Sequence, residues 1–186
     1  MNRSLNVSWS DPRILSDAAR SMSGIEFLQS IRDGRLPAAP IAELLGMRLA
    51  EVGRGHAVFE VTPAEHHYNP IGVVHGGLAM TLLDSAMACS VQTHVPAGAG
   101  YTTLEVKVNL VRPITMQTGK LRSIGKSLHV GSRIATAEGR LEDASGKLYA
   151  HGTTTAAVAF APPFDETILV SLGKLNYGQL VESSSD

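Results

Sequence analysis

The sequence predicts an α+β protein in which one antiparallel sheet wraps around a single long central helix. Three observations lead there. Residues 76–92 carry apolar or small side chains nearly all round, the pattern of a helix buried on most sides. Six other segments alternate apolar and polar residues, as half-buried strands do. The links between the last four of these are short and rich in Gly, Pro and Asp, which suits antiparallel neighbours.

Taken in order, residues 1–20 are polar and mixed. In 23–37, Ile25, Leu28 and Ile31 recur at helical spacing, with Ser23 as a cap and Gly34 and Pro37 as a stop, so a short helix outside the core is expected. "MRLAEVG" and "HAVFEVTP" flank Arg54-Gly55 and predict two strands joined by a tight turn. A polar loop, "EHHYNPIG", leads into the central helix. Strands are then expected over 101–112, 119–130, 132–142 and 147–160. Pro113 and Gly119 lie in the first link, Gly131-Ser132 forms a two-residue turn, and Gly146 ends the last loop. The organisation is an N-terminal extension with a short helix (1–39), one domain (40–160) and a C-terminal tail with two prolines and an apolar, helical-looking stripe (161–186).

With 186 residues, 44% of them hydrophobic, the chain is long enough for one well-filled core. Sixteen basic and seventeen acidic residues leave a net charge of -1 with no basic run longer than a pair, which argues against a nucleic-acid partner. The lone cysteine, Cys89, lies in an apolar run, and the N-terminus lacks a signal-like apolar stretch; a reducing, cytoplasmic setting without membrane contact is expected. Seven histidines show no metal-ligand spacing: His66-His67 are adjacent in a loop and the others are scattered.

One acid stands out. Asp84 is the only Asp, Glu, Lys or Arg between His66 and Leu104, and the charges that flank this span, Glu65 and Glu105, are also acidic. Desolvation without a nearby cation disfavours a carboxylate and makes it a stronger base where it is ionised. A structural role, satisfied by Thr81, Ser85 or backbone donors, is the competing explanation. Upstream, His75-Gly76-Gly77 opens the helix, where unpaired N–H groups sit at the positive end of the dipole and glycine admits a close ligand. Such an amide suits an oxyanion, though the glycines also suit tight packing. Eight residues separate Gly76 from Asp84, a rise of about 12 Å on a helix. If both act on one substrate, they come from different subunits related by a two-fold axis.

"NPIGVVHGGLAMTLLDSAMA" (69–88) followed by "YTTLEVKVNLVRPI" (101–114) resembles the hotdog-fold thioesterases, specifically the PaaI-like acyl-CoA thioesterases of the phenylacetate pathway. The likeness spans about residues 40–160. It implies a hotdog fold, no cofactor, an acyl-CoA substrate and a homodimer that completes the site, with assembly into a tetramer left open. By this resemblance the Gly76 N–H and the Asn69 amide hold the thioester carbonyl, and His75 orients the loop. Asp84 of the other subunit activates water or attacks directly. A hydroxyl on the next strand, Thr102 or Thr103, holds the water, and counting back from Pro113 favours Thr103. Gly77, Arg112, Lys126, Arg133 and the Gly131-Ser132 backbone are candidates for contacts with substrate and CoA phosphates. A hydratase or dehydratase of the same fold, or a non-catalytic acyl-CoA-binding protein, are the alternatives; thiol release from a saturated acyl-CoA distinguishes both.

Overall fold

The computed structural model describes residues 2–159. Helices α1 (Arg13–Ser21), α2 (Gly24–Arg32) and α3 (Pro40–Leu45) precede strands β1 (Met47–Gly53) and β2 (His56–Val61). Helix α4 (Gly76–Gln92) follows, then β3 (Gly100–Leu110), β4 (Leu121–Val130), β5 (Ile134–Asp143) and β6 (Leu148–Ala159). All strand pairs are antiparallel in one sheet of order β1-β2-β4-β5-β6-β3. The expected architecture is therefore present: α4 leaves one side of the sheet after β2, lies against all six strands, and delivers the chain to β3 at the opposite edge.

Two kinds of residue make this packing close. Leu82, Leu83, Ala86 and Met87 on α4 are completely buried, each large side chain contributing about 1.5–3 kcal/mol of burial. Strands β4 and β5 meet them with small residues: a Cβ on Gly125 would lie 2.1 Å from the Ala86 carbonyl oxygen, and one on Gly139 would lie 2.8 Å from Met87 Cγ. Ser123, buried under the helix, donates its hydroxyl to the Leu82 carbonyl at 3.0 Å and so leaves no unmet polar group. The opposite face of the sheet is charged, with Glu60 paired to Arg48 and Lys120, Arg122 to Glu51, and Arg140 to Glu142.

The strands beside the helix follow the sequence reading, including the Arg54-Gly55 turn, where Gly55 takes φ +74°. Three details differ. The short helix α2 is not outside the core: Phe27 and Leu28 are buried, the Gly24 N–H donates to Val95 O at 2.8 Å, and a Cβ on Gly24 would meet Gln92 O at 1.9 Å. It plugs the C-terminal end of α4. Its expected cap residue, Ser23, donates both its N–H and its hydroxyl to Glu26 Oε2, and the stop at Gly34 has φ +73°. Helices α1 and α3 were not anticipated; α1 buries none of its residues, and α3 is only six residues long, begun by Pro40 and ended by Gly46 at φ +61°. In the β4–β5 hairpin, Gly131 N–H donates to Ile134 O, so the two-residue tip is Ser132-Arg133 rather than Gly131-Ser132. The C-terminal tail lies outside the described residues.

Candidate active site

The loop before α4 is built from short-range hydrogen bonds. A 3-10 turn, Glu65–His67, leads to Asn69, whose Oδ1 accepts the Ile71 and Val73 N–H groups at 3.1 and 3.3 Å. Gly72 completes this bend at φ +83°. The Asn69 side chain thus holds its own loop, and its Nδ2 makes no hydrogen bond among the described residues. Further on, the His75 N–H donates to His67 O at 2.8 Å and the Val74 N–H to Ile114 O at 2.9 Å, fixing the entry to α4 from two sides.

His75 caps the helix. Its Nδ1 accepts the Gly77 N–H at 2.9 Å, and its carbonyl accepts the Leu78 N–H at 3.0 Å. Gly77 is glycine for this reason, since a Cβ there would lie 2.8 Å from Nδ1. The Gly76 N–H, next to these engaged groups, has no acceptor among the described residues and sits at the positive end of a 17-residue helix. Beside it is a cavity of about 310 Å³ whose lining includes Asn69, Gly76, Ala79, Leu110, Arg112 and Ile114. Arg112 also donates to Leu148 O.

Asp84 lies two turns along the same helix. It is half-buried, and its partner is uncharged: Thr103 Oγ1, on β3, donates to Asp84 Oδ1 at 3.1 Å. Of the two candidate threonines, Thr103 makes the contact and Thr102 does not. The second carboxylate oxygen has no hydrogen-bond donor among the described residues. Next to the pair, burial and then the Asp84 charge push the Cys89 thiol up to about 12, and burial raises Tyr101 well above an ordinary phenol. Tyr101 donates to Gln92 Oε1 at 3.4 Å. Only its position two residues before Thr103 marked Tyr101 in the sequence.

The two groups of candidate residues therefore lie apart within the chain. Gly76 is the first residue of α4, not part of a loop folded back over it, so the helical rise of about 12 Å to Asp84 stands. Neither Asp84 nor Thr103 lines the cavity beside Gly76. Lys126 is exposed on β4, paired with His56 and Glu138, and Gly131, Ser132 and Arg133 form the hairpin between β4 and β5; none of the four lines that cavity. Among the described residues no three His, Cys, Asp or Glu side chains gather to hold a metal, and no helix is long and apolar enough to cross a membrane.

A six-stranded antiparallel sheet around one buried helix, with a free amide at the start of that helix, defines a protein of the hotdog class. The model of the thioesterase superfamily matches residues 71–150, a span that runs from Ile71 through Gly76, Asp84 and Thr103 to Ala150. A Saccharolobus solfataricus protein provisionally named an esterase is 32% identical over 108 residues, covering 58% of this chain and 75% of the relative. The 1,4-dihydroxy-2-naphthoyl-CoA hydrolase of Listeria monocytogenes is 24% identical over 118 residues, covering 63% and 94%. Among solved structures, a mutant of the phenylacetic acid degradation protein PaaI from Thermus thermophilus superimposes with a TM-score of 0.58 at 27% identity, covering 64% of this chain and 98% of the other. The chain belongs to the thioesterase superfamily, and that membership places it among thioester hydrolases.

Proposed function

We propose that the protein hydrolyses an acyl-CoA thioester to the free acid and CoA, as a homodimer in which each site joins the Gly76 half of one protomer to the Asp84 half of its partner. The observation that carries this reading is the separation of the two halves within one chain. A carboxylate acts on a water only within hydrogen-bond reach of it, about 3 Å, which a rise of about 12 Å along one helix does not allow.

A two-fold axis resolves the separation. On α4 the midpoint between Gly76 and Asp84 is Met80, which is 46% exposed. On β3, whose outer edge is unpaired, Leu110 approaches Gly76: a Cβ there would lie 2.6 Å from Leu110 Cδ1. If two β3 edges meet antiparallel about a point between Val106 and Lys107, the partner's Thr103 faces Leu110, and the partner's Asp84 comes with it. The same pairing covers Leu104 and Leu110, apolar residues that are 44% and 49% exposed on an open edge.

In such a site the thioester oxygen accepts hydrogen bonds from the Gly76 N–H and Asn69 Nδ2. Donors that strengthen as the oxyanion forms are worth about 3–4 kcal/mol each in a dry site. Asp84 of the partner subunit, held at one oxygen by Thr103, takes a proton from water through the other as the water oxygen attacks the carbonyl carbon. The tetrahedral intermediate collapses by breaking the C–S bond, and the proton on the carboxyl passes to the departing thiolate. His75 sets the peptide that presents the Gly76 amide. Arg112, on the cavity wall, is the cation best placed for a CoA phosphate.

A panel of straight-chain saturated and aryl acyl-CoAs, assayed for free thiol, tests the reading. Thiol release from a saturated member supports hydrolysis and excludes hydration. Binding across the panel with no thiol released would leave a non-catalytic acyl-CoA-binding protein.

A further inference from the structure

We propose that His67, which lines neither half of the site, is the positioning residue that sets the Gly76 amide, and that it does so only as a neutral imidazole. The proposal rests on the oxyanion role given to Gly76 above, but its first test needs no substrate.

His67 closes the turn that leads to Asn69 in two ways. Its backbone N–H donates to Ala64 O at 3.0 Å, and its ring Nδ1 accepts the Ala64 N–H at 3.0 Å. The carbonyl of the same residue accepts the His75 N–H at 2.8 Å, the bond that anchors the cap of α4 immediately before Gly76. Ring, turn, carbonyl and cap form one short chain of contacts, and the peptide presenting the free amide is its last member. Because Nδ1 accepts, the ring proton lies on Nε2. That nitrogen is buried in a side chain only 7% exposed and makes no well-formed hydrogen bond among the described residues, the Leu45 carbonyl at the end of α3 being the nearby acceptor.

An imidazolium would carry hydrogen on both nitrogens, so Nδ1–H would confront the Ala64 N–H donor to donor and the turn would open. The surroundings oppose that charge: burial first and the neighbouring His66 second hold the His67 pKa below the ordinary histidine value, only partly offset by the Leu45 carbonyl at the end of α3. The His66 ring lies 4.0 Å away edge-on, and Glu65, the acid of the same turn, is engaged by Arg3 at 2.6 Å. The sign follows. A depressed folded value means that the unfolded chain binds the proton first, so this hold is complete above the ordinary histidine pKa and is lost as pH falls through the lower folded value.

The first experiment follows the amide exchange of His75 in the full-length protein. Its protection is expected to fall in wild type as pH drops below about 6.5. In His67→Asn, whose Oδ1 supplies an acceptor that does not titrate, protection should be retained across the same range. His67→Ala should lose protection at neutral pH. With hexanoyl-CoA, or the best-turned-over member of the panel, His67→Ala should lower kcat about tenfold with KM within about twofold, and His67→Asn should recover most of it. Unchanged His75 protection in His67→Ala, or in wild type across the pH range, would overturn the proposal even if the protein turns over acyl-CoA. Should His67→Ala fail to fold, the wild-type and His67→Asn titrations decide alone. A protein with no thioesterase activity but with the expected exchange pattern would retain the positioning and lose the catalytic reading.

Discussion

The two candidate regions of this chain, at Gly76 and at Asp84, are made in different ways. Around Gly76 the chemistry is backbone: an uncommitted N–H, left free because the His75 ring and carbonyl have taken the next two, at the head of a helix whose dipole points the same way. Around Asp84 the chemistry is side chain: a carboxylate two turns further along the same helix, tied to Thr103 from an edge strand. A main-chain donor needs close approach, which glycine allows. A carboxylate base needs partial burial and one spare oxygen. One helix supplies both but holds them about 12 Å apart along its axis, which is why the proposed site takes its two parts from different copies.

The largest expected effect comes from the side-chain half. Asp84→Asn keeps size and removes basicity, and it should lower kcat by about 10²–10⁴ while the elution volume in size-exclusion chromatography stays that of wild type; near-wild-type turnover would remove the carboxylate from the mechanism. Mixing the two halves is the next test. Asp84→Asn protomers exchanged with Gly76→Val protomers, each inactive alone, should return roughly a quarter of wild-type activity, since half of the dimers are mixed and one of their two sites is intact. No recovery after demonstrated exchange would show that each chain works by itself. The smallest change is Thr103→Val, which removes the hydroxyl on the carboxylate and should cost about tenfold in kcat, with Thr103→Ser close to wild type. An unaffected Thr103→Val would leave Asp84 positioned by other means.

The central helix was legible because its apolar residues lie nearly all round, and β4 and β5 because their burial alternates as the sequence does, whereas β2 buries three residues in a row and β3 buries none fully. The place of α2 was not: its packing depends on Gly24 meeting Gln92, a contact 68 residues away along the chain that no local pattern encodes. Helix α1 was missed for a different reason: it buries no residue fully, and only Leu15, Ala18 and Ala19 lean on the core from a short, otherwise polar segment. Within the candidate site, the His-Gly-Gly triplet pointed to the free amide at the start of α4, and isolation from other charges pointed to Asp84. Two adjacent threonines point to opposite faces of a strand, and counting back from Pro113 favoured Thr103, the one whose hydroxyl meets Asp84, although a bulge between Thr103 and Glu105 shifts the register there. His67 carried no signal at all, because a pair of loop histidines looks the same whether one ring closes a turn or both face water. Lys126 and Arg133 were chosen for charge near strand ends, and charge alone did not locate the cavity.

The sulfur beside Asp84 has a consequence for an enzyme that liberates a thiol. With its pKa pushed up to about 12, Cys89 is held as the neutral thiol at pH 7. It is therefore a poor competitor for the acyl group and a poor partner for a mixed disulfide with the released product. Burial first, and then the neighbouring carboxylate by repelling a second negative charge, keep this sulfur from outrunning water as the nucleophile.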